Sequence, residues 1–225
     1  MSGYVNTRLI RNLLLILSAL LLIGTFLIRQ LTPLSGETLL FRVIFPVNNS
    51  PWEALKAFLF PGTALLLPLC AIGRRSGAPA KALLWGGVCA LLAGGLTDLS
   101  LGFLYVGIFG AESVGADHLA ILAAVFIWFR VGIRSVLHTE HKAPSGIFSF
   151  WILLLLGMLS FFFALSPPRI PLFRDPMTGM YGTQTPSYLE NSAGLVELTG
   201  GRLLLSDIPI RAMRGNTPRI ALISV

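Results

Sequence analysis

At 225 residues, with 54% hydrophobic and only 12% charged side chains, the chain is too apolar for a soluble domain, which carries roughly twice that share of charge. Its net charge of +7 does not point to nucleic acid, because the basic residues sit between apolar runs instead of forming a stripe with interleaved aromatics. The two cysteines, Cys70 and Cys89, both fall inside apolar runs, so neither a disulfide framework nor a zinc pattern is expected.

The first apolar run, residues 13–28, is flanked by Arg8, Arg11 and Arg29. It is longer than a signal-peptide core and no small-residue cleavage site follows it, so a helix over 9–31 is expected, its arginines snorkelling to the interfaces. Residues 32–51 carry Pro33, Gly36, Pro46 and Pro51 and read as mostly non-helical. Their apolar part, 39–47, is too short to span and is expected to lie in or dip into the interface. A second span covers 52–72, with Pro61 and Pro68 as kinks, and a short loop with Arg74 and Arg75 follows.

Residues 82–111 are apolar apart from Asp98. One helix of that length reaches roughly 45 Å against a ~30 Å hydrocarbon core. A span over 82–101 and then a Gly-rich re-entrant or interfacial turn (Gly102, Gly107, Gly110) is therefore expected. Fourth and fifth spans cover 117–136 and 146–166, the last closed by Pro167-Pro168. Beyond 182 the composition changes, and 183–225 reads as an extramembrane tail, either a short hairpin or disordered. The fold class is all-α: a polytopic transmembrane helix bundle over 1–182 with about five spans.

Lysine and arginine placement sets the orientation. Arg8, Arg11, Arg74, Arg75, Lys81, Arg130, Arg134 and Lys142 share the side of the N-terminus, against Arg29, Arg42, Lys56, Arg169 and Arg174 on the other. That bias implies a cell-membrane protein with a cytoplasmic N-terminus and an extracytoplasmic C-terminus. In such a topology Asn48, Trp52, Glu53, Lys56, Asp98, Asp117, His118, Arg174, Asp175 and Tyr181 all fall toward the outer end, and these are the binding candidates.

Each has a purely structural reading beside the functional one. Ser50 suits an N-cap, Pro51 the first helical position and Glu53 the first turn, with Trp52 in the aromatic belt. Alternatively Glu53 and Lys56, at i and i+3, point into the bundle as a pair. Asp98 is either a cap or hinge beside Thr97 and Ser100, or an inward acid facing Lys56, Arg174 or water. Asp117 is a good N-cap for the fourth span. With His118 it would bind metal only if Glu112 or Asp175 came close, and His138-Thr139-Glu140-His141 lacks the zincin spacing, so no metal is expected. Gly86-Gly87 and Gly94-Gly95 are expected to let helices pack closely.

The segment Phe45-Pro46-Val47-Asn48-Asn49-Ser50-Pro51-Trp52-Glu53-Ala54-Leu55-Lys56, followed by Phe60-Pro61, resembles a motif of a family of small prokaryotic multi-pass membrane proteins known only as a domain of unknown function. Residues 167–182, Pro-Pro-Arg-Ile-Pro-Leu-Phe-Arg-Asp-Pro-Met-Thr-Gly-Met-Tyr-Gly, are similar to that family's C-terminal signature. The resemblance covers 8–182 and implies architecture and positions worth testing (Asn48, Trp52, Glu53, Lys56, Asp175, Tyr181), not a reaction. Asn49 and Ala54 stand where the family motif has glutamate and histidine, which puts any chemistry of those two groups in doubt here.

No phosphate loop, nucleophile elbow or dinucleotide fingerprint occurs, and no cofactor is implied. The leading expectation is a binding, transport-accessory or assembly module, with membrane lipids and a membrane protein or small solute as partners and no nucleic acid. The alternative is a membrane enzyme acting on a lipid or lipid-linked substrate through outer carboxylates, and a purely structural role is the third.

Overall fold

A computed structural model describes residues 5–30, 39–109, 114–138, 143–176 and 181. The tail 183–225, Gly110, Glu112 and the Thr139-Glu140-His141 stretch lie outside the described residues. Six α-helices follow in order: α1 (Thr7–Gln30), α2 (Leu39–Ile44), α3 (Pro51–Gly73), α4 (Ala80–Phe109), α5 (Val114–His138) and α6 (Gly146–Leu165). All but α2 are long and apolar enough to cross a membrane, and no strand occurs among the described residues.

Local chemistry starts and stops these helices. Asn6 caps α1, its Oδ1 accepting from the Leu9 N–H at 3.0 Å. Core residues Ile10, Leu13, Leu14, Leu17 and Leu21 recur at three- and four-residue spacing along one face of α1. On the same face Ser18 and Thr25 donate their hydroxyls to the Leu14 and Leu21 carbonyls, so neither polar group is left unpaired in an apolar interior. Helix α3 continues through Pro61 and Pro68. A 3-10 turn, Arg74–Ser76, ends on Gly77, whose φ of +88° is the left-handed conformation glycine adopts without strain.

Helix α4 is the central element, packing on α3, α5 and α6, while α1 packs on α3 and α5. Glycine makes this possible: a Cβ at Gly86 would stand 3.0 Å from the Val136 backbone nitrogen, and one at Gly94 would stand 2.9 Å from the Ala124 carbonyl oxygen. Each glycine pair thus serves two contacts: Gly86 and Gly94 admit α5, while Gly87 and Gly95 lie against Leu66 and Leu55 of α3.

The expected break after residue 101 is absent. Helix α4 runs unbroken for 30 residues to Phe109. Gly102 and Gly107 have nothing within 4 Å where a side chain would be, and they continue the helix. In an apolar medium the backbone has no better hydrogen-bond partner than its own carbonyls, so these glycines do not stop it. Helix α5 also begins at Val114, three residues before the expected cap.

Candidate functional site

Because long helices alternate in direction, the end of α1, the start of α3, the far part of α4 and the start of α5 share one end of the bundle. Leu55 lies against Gly95, which brings the first turns of α3 level with the Asp98 region of α4. Two polar clusters sit there.

The first is built on the start of α3. Ser50, extended at φ −65° and ψ 151°, accepts the Glu53 N–H on its Oγ at 3.4 Å, and Pro51 occupies a first-turn position. Asn48 Oδ1 in turn accepts the Ser50 N–H at 2.9 Å. This cap turns Glu53 and Lys56 to the interior, where Lys56 Nζ is 2.6 Å from Glu53 Oε2 and the side chains are 0% and 4% exposed. Two backbone groups complete the pair: Lys56 Nζ donates to the Arg42 carbonyl at 2.7 Å, and Glu53 Oε2 accepts from Val47 N–H at 3.0 Å. A charge removed from water needs such partners, and here α2 supplies the acceptor and the α2–α3 connection the donor.

The segment after α6 closes over this cap. Asp175, buried, accepts the Asn49 N–H at 3.3 Å on Oδ2. Trp52, Phe163 and Phe173 form a three-ring cluster with centroids 4.8–5.3 Å apart. Trp52 is thus a core residue and not the interfacial belt residue expected, and its Nε1 has no hydrogen-bond partner among the described residues. Arg174, exposed, pairs by an antiparallel backbone bridge with half-buried Tyr181.

The second cluster joins α1, α4 and α5. Arg29 Nη2 meets Asp98 Oδ1 and Oδ2 at 3.2 and 3.0 Å, and its Nη1 meets Asp117 Oδ2 at 3.3 Å. Exposure rises outward: the Asp98 side chain is 2% exposed, Arg29 15% and Asp117 55%. Beside them His118 is exposed and sets its ring against the Phe26 ring at 4.9 Å.

Several expectations change here. Asp98 faces inward, but its partner is Arg29 and neither Lys56 nor Arg174; Lys56 is already held by Glu53. It is mid-helix in α4 and caps nothing, while neighbouring Thr97 donates to the Ala93 carbonyl. Asp117 lies in the first turn of α5, not at its cap, and is drawn to Arg29. Arg29, read from the sequence as an interfacial flank, is the cation that joins the two acids. Asp175 belongs to the first cluster, apart from Asp117 and His118. Among the described residues, no three His, Cys, Asp or Glu side chains gather as metal ligands.

Sequence reasoning missed Arg29 and the rings Phe163 and Phe173 as members of these clusters. A signal for Arg29 existed: two carboxylates, Asp98 and Asp117, sit in apolar surroundings, and each calls for a cation at the same end.

Compared with known families, the chain matches the profile of a family of unknown function, DUF6512, over residues 2–183. The chain belongs to this family. The DUF6512 match contains every residue of both clusters and ends where the composition changes. No curated protein and no solved structure matches the chain.

Proposed function

We propose that this DUF6512 chain is a multi-pass integral membrane protein, N-terminus inside, whose outer polar end works as a binding or assembly module and not as a catalyst. Five membrane-length helices support the membrane location. So does α6, which leaves Phe148, Phe150, Trp151, Phe161 and Phe162 exposed, a face that suits lipid and not water. The observation that carries the choice of binding over catalysis is the state of the carboxylates. Glu53, Asp98 and Asp175 are buried and bonded to groups of the chain itself, so they hold structure together. A general acid or base must reach its substrate, and of the four acids in the two clusters only Asp117 is open.

The test uses full-length protein in nanodiscs of extracted membrane lipids. Binding without turnover, weakened in Asp117→Asn, is the expected outcome. Chemical conversion of a lipid that disappears in Asp117→Asn would overturn this reading in favour of an enzyme.

A further inference from the structure

Where the chain leaves α6, over residues 166–174, it carries two exposed arginines that neither polar cluster uses. We infer that this corner is a docking surface for anionic phospholipid. Arg169 and Arg174 take the headgroup, and the end of α6 takes the acyl chains. The inference needs only the membrane location proposed above and makes no use of the Asp117 site.

Depth sets the corner among headgroups. Helix α6 has 20 residues, ~30 Å of helix and so one hydrocarbon thickness. Its first turn lies on the start of α4, with Gly146 beside Leu84 and the Phe148 ring beside Trp85. Near its other end Phe163 meets Trp52, at the start of α3. The helix therefore runs from one end of the bundle to the other, and Arg169 follows directly on its last turn.

Charge names the lipid class. Arg169 and Arg174 are exposed, and among the described residues neither side chain enters an ion pair. Asp175, the acid beside them in the chain, is buried and accepts from the Asn49 amide. Guanidinium groups bind phosphate oxygens through paired N–H donors, and arginines at a membrane edge favour anionic lipid. A zwitterionic headgroup brings its own ammonium to the same two cations and forfeits much of that attraction.

The surface is also set before a lipid arrives. The Ile170 N–H donates to the Pro168 carbonyl at 2.9 Å, Phe173 N–H to Ile170 at 3.0 Å and Arg174 N–H to Pro171 at 3.2 Å. Phe173 anchors this turn in the Trp52 ring cluster. The arginines thus stand on a fixed strip, and little backbone freedom is lost on binding. Exposed Phe161, Phe162 and Leu165 on α6, with exposed Ile170 in the strip itself, supply apolar surface for the chains.

The experiment places the photo-crosslinker p-benzoylphenylalanine at position 170 of the full chain. The nanodiscs hold equimolar phosphatidylglycerol and phosphatidylcholine with identical acyl chains. Mass spectrometry of the lipid adducts reads this corner alone and not the basic residues at the other end. Phosphatidylglycerol adducts are expected in about fivefold excess or more, the factor one arginine confers at an anionic surface. Arg169→Gln combined with Arg174→Gln brings the ratio to about one, whereas Asp117→Asn leaves the excess in place. Adducts in the proportions of the nanodisc, an excess that survives loss of both arginines, or adducts to the chain itself in place of lipid would each overturn the assignment. A chain that stays dispersed in water without detergent or lipid would instead overturn the membrane location beneath it.

Discussion

The Glu53–Lys56 pair and the Arg29–Asp98–Asp117 triad stand level with one another at the same end of the bundle, yet they spend charge in opposite ways. The pair is local, one helical turn apart; the adjoining connection offers it a backbone donor and α2 a backbone acceptor. Both side chains are buried. The triad is assembled from three helices, and its exposure rises from Asp98 to Asp117. The pair is sealed because backbone groups shortly before it in the chain satisfy it, whereas the triad brings together side chains from three helices and opens at Asp117.

That contrast can be broken or sharpened by substitution, read as thermal unfolding of the chain in nanodiscs. Lys56→Met has the largest expected effect, about 3–5 kcal/mol, because it leaves the Glu53 carboxylate buried without its counter-ion. A loss below about 1 kcal/mol would mean that water reaches Glu53 and that the cluster is not sealed. Asp98→Asn is expected to cost about 2 kcal/mol, less than Lys56→Met because Asp117 still faces Arg29. Gly94→Ala is expected to cost about 1–3 kcal/mol, since the added methyl meets the Phe58 ring and the Ala124 carbonyl where α3, α4 and α5 converge. An unchanged unfolding temperature there would show that the helices at this end pack loosely. Smallest is Asp117→Asn, below about 1 kcal/mol as befits an exposed partner. A loss equal to that of Asp98→Asn would erase the distinction between the inner and outer acid.

Much of the architecture was legible because hydrocarbon-length apolar runs have one stable answer, the helix. The cap at Ser50-Pro51 and the inward Glu53–Lys56 pair were legible too, as both obey rules acting over three or four residues. What could not be read depends on distance along the chain. Arg29 reaches Asp98 across 69 positions, and Asp175 reaches the Asn49 amide across 126. Nothing local encodes either choice, so Arg29 read as an interfacial flank and Asp98 was offered the wrong cations. The length of α4 failed for another reason. Gly102 and Gly107 signal a turn in water, but a buried or lipid-facing backbone gains nothing by leaving the helix.

A pair of double-mutant cycles tests the division into sealed and open charge most directly: Glu53→Gln with Lys56→Met, and Arg29→Met with Asp117→Asn, each followed by unfolding in the same nanodiscs. The expected coupling is about 3 kcal/mol for the first pair and below about 1 kcal/mol for the second. Equal couplings, or a larger one between Arg29 and Asp117, would contradict it.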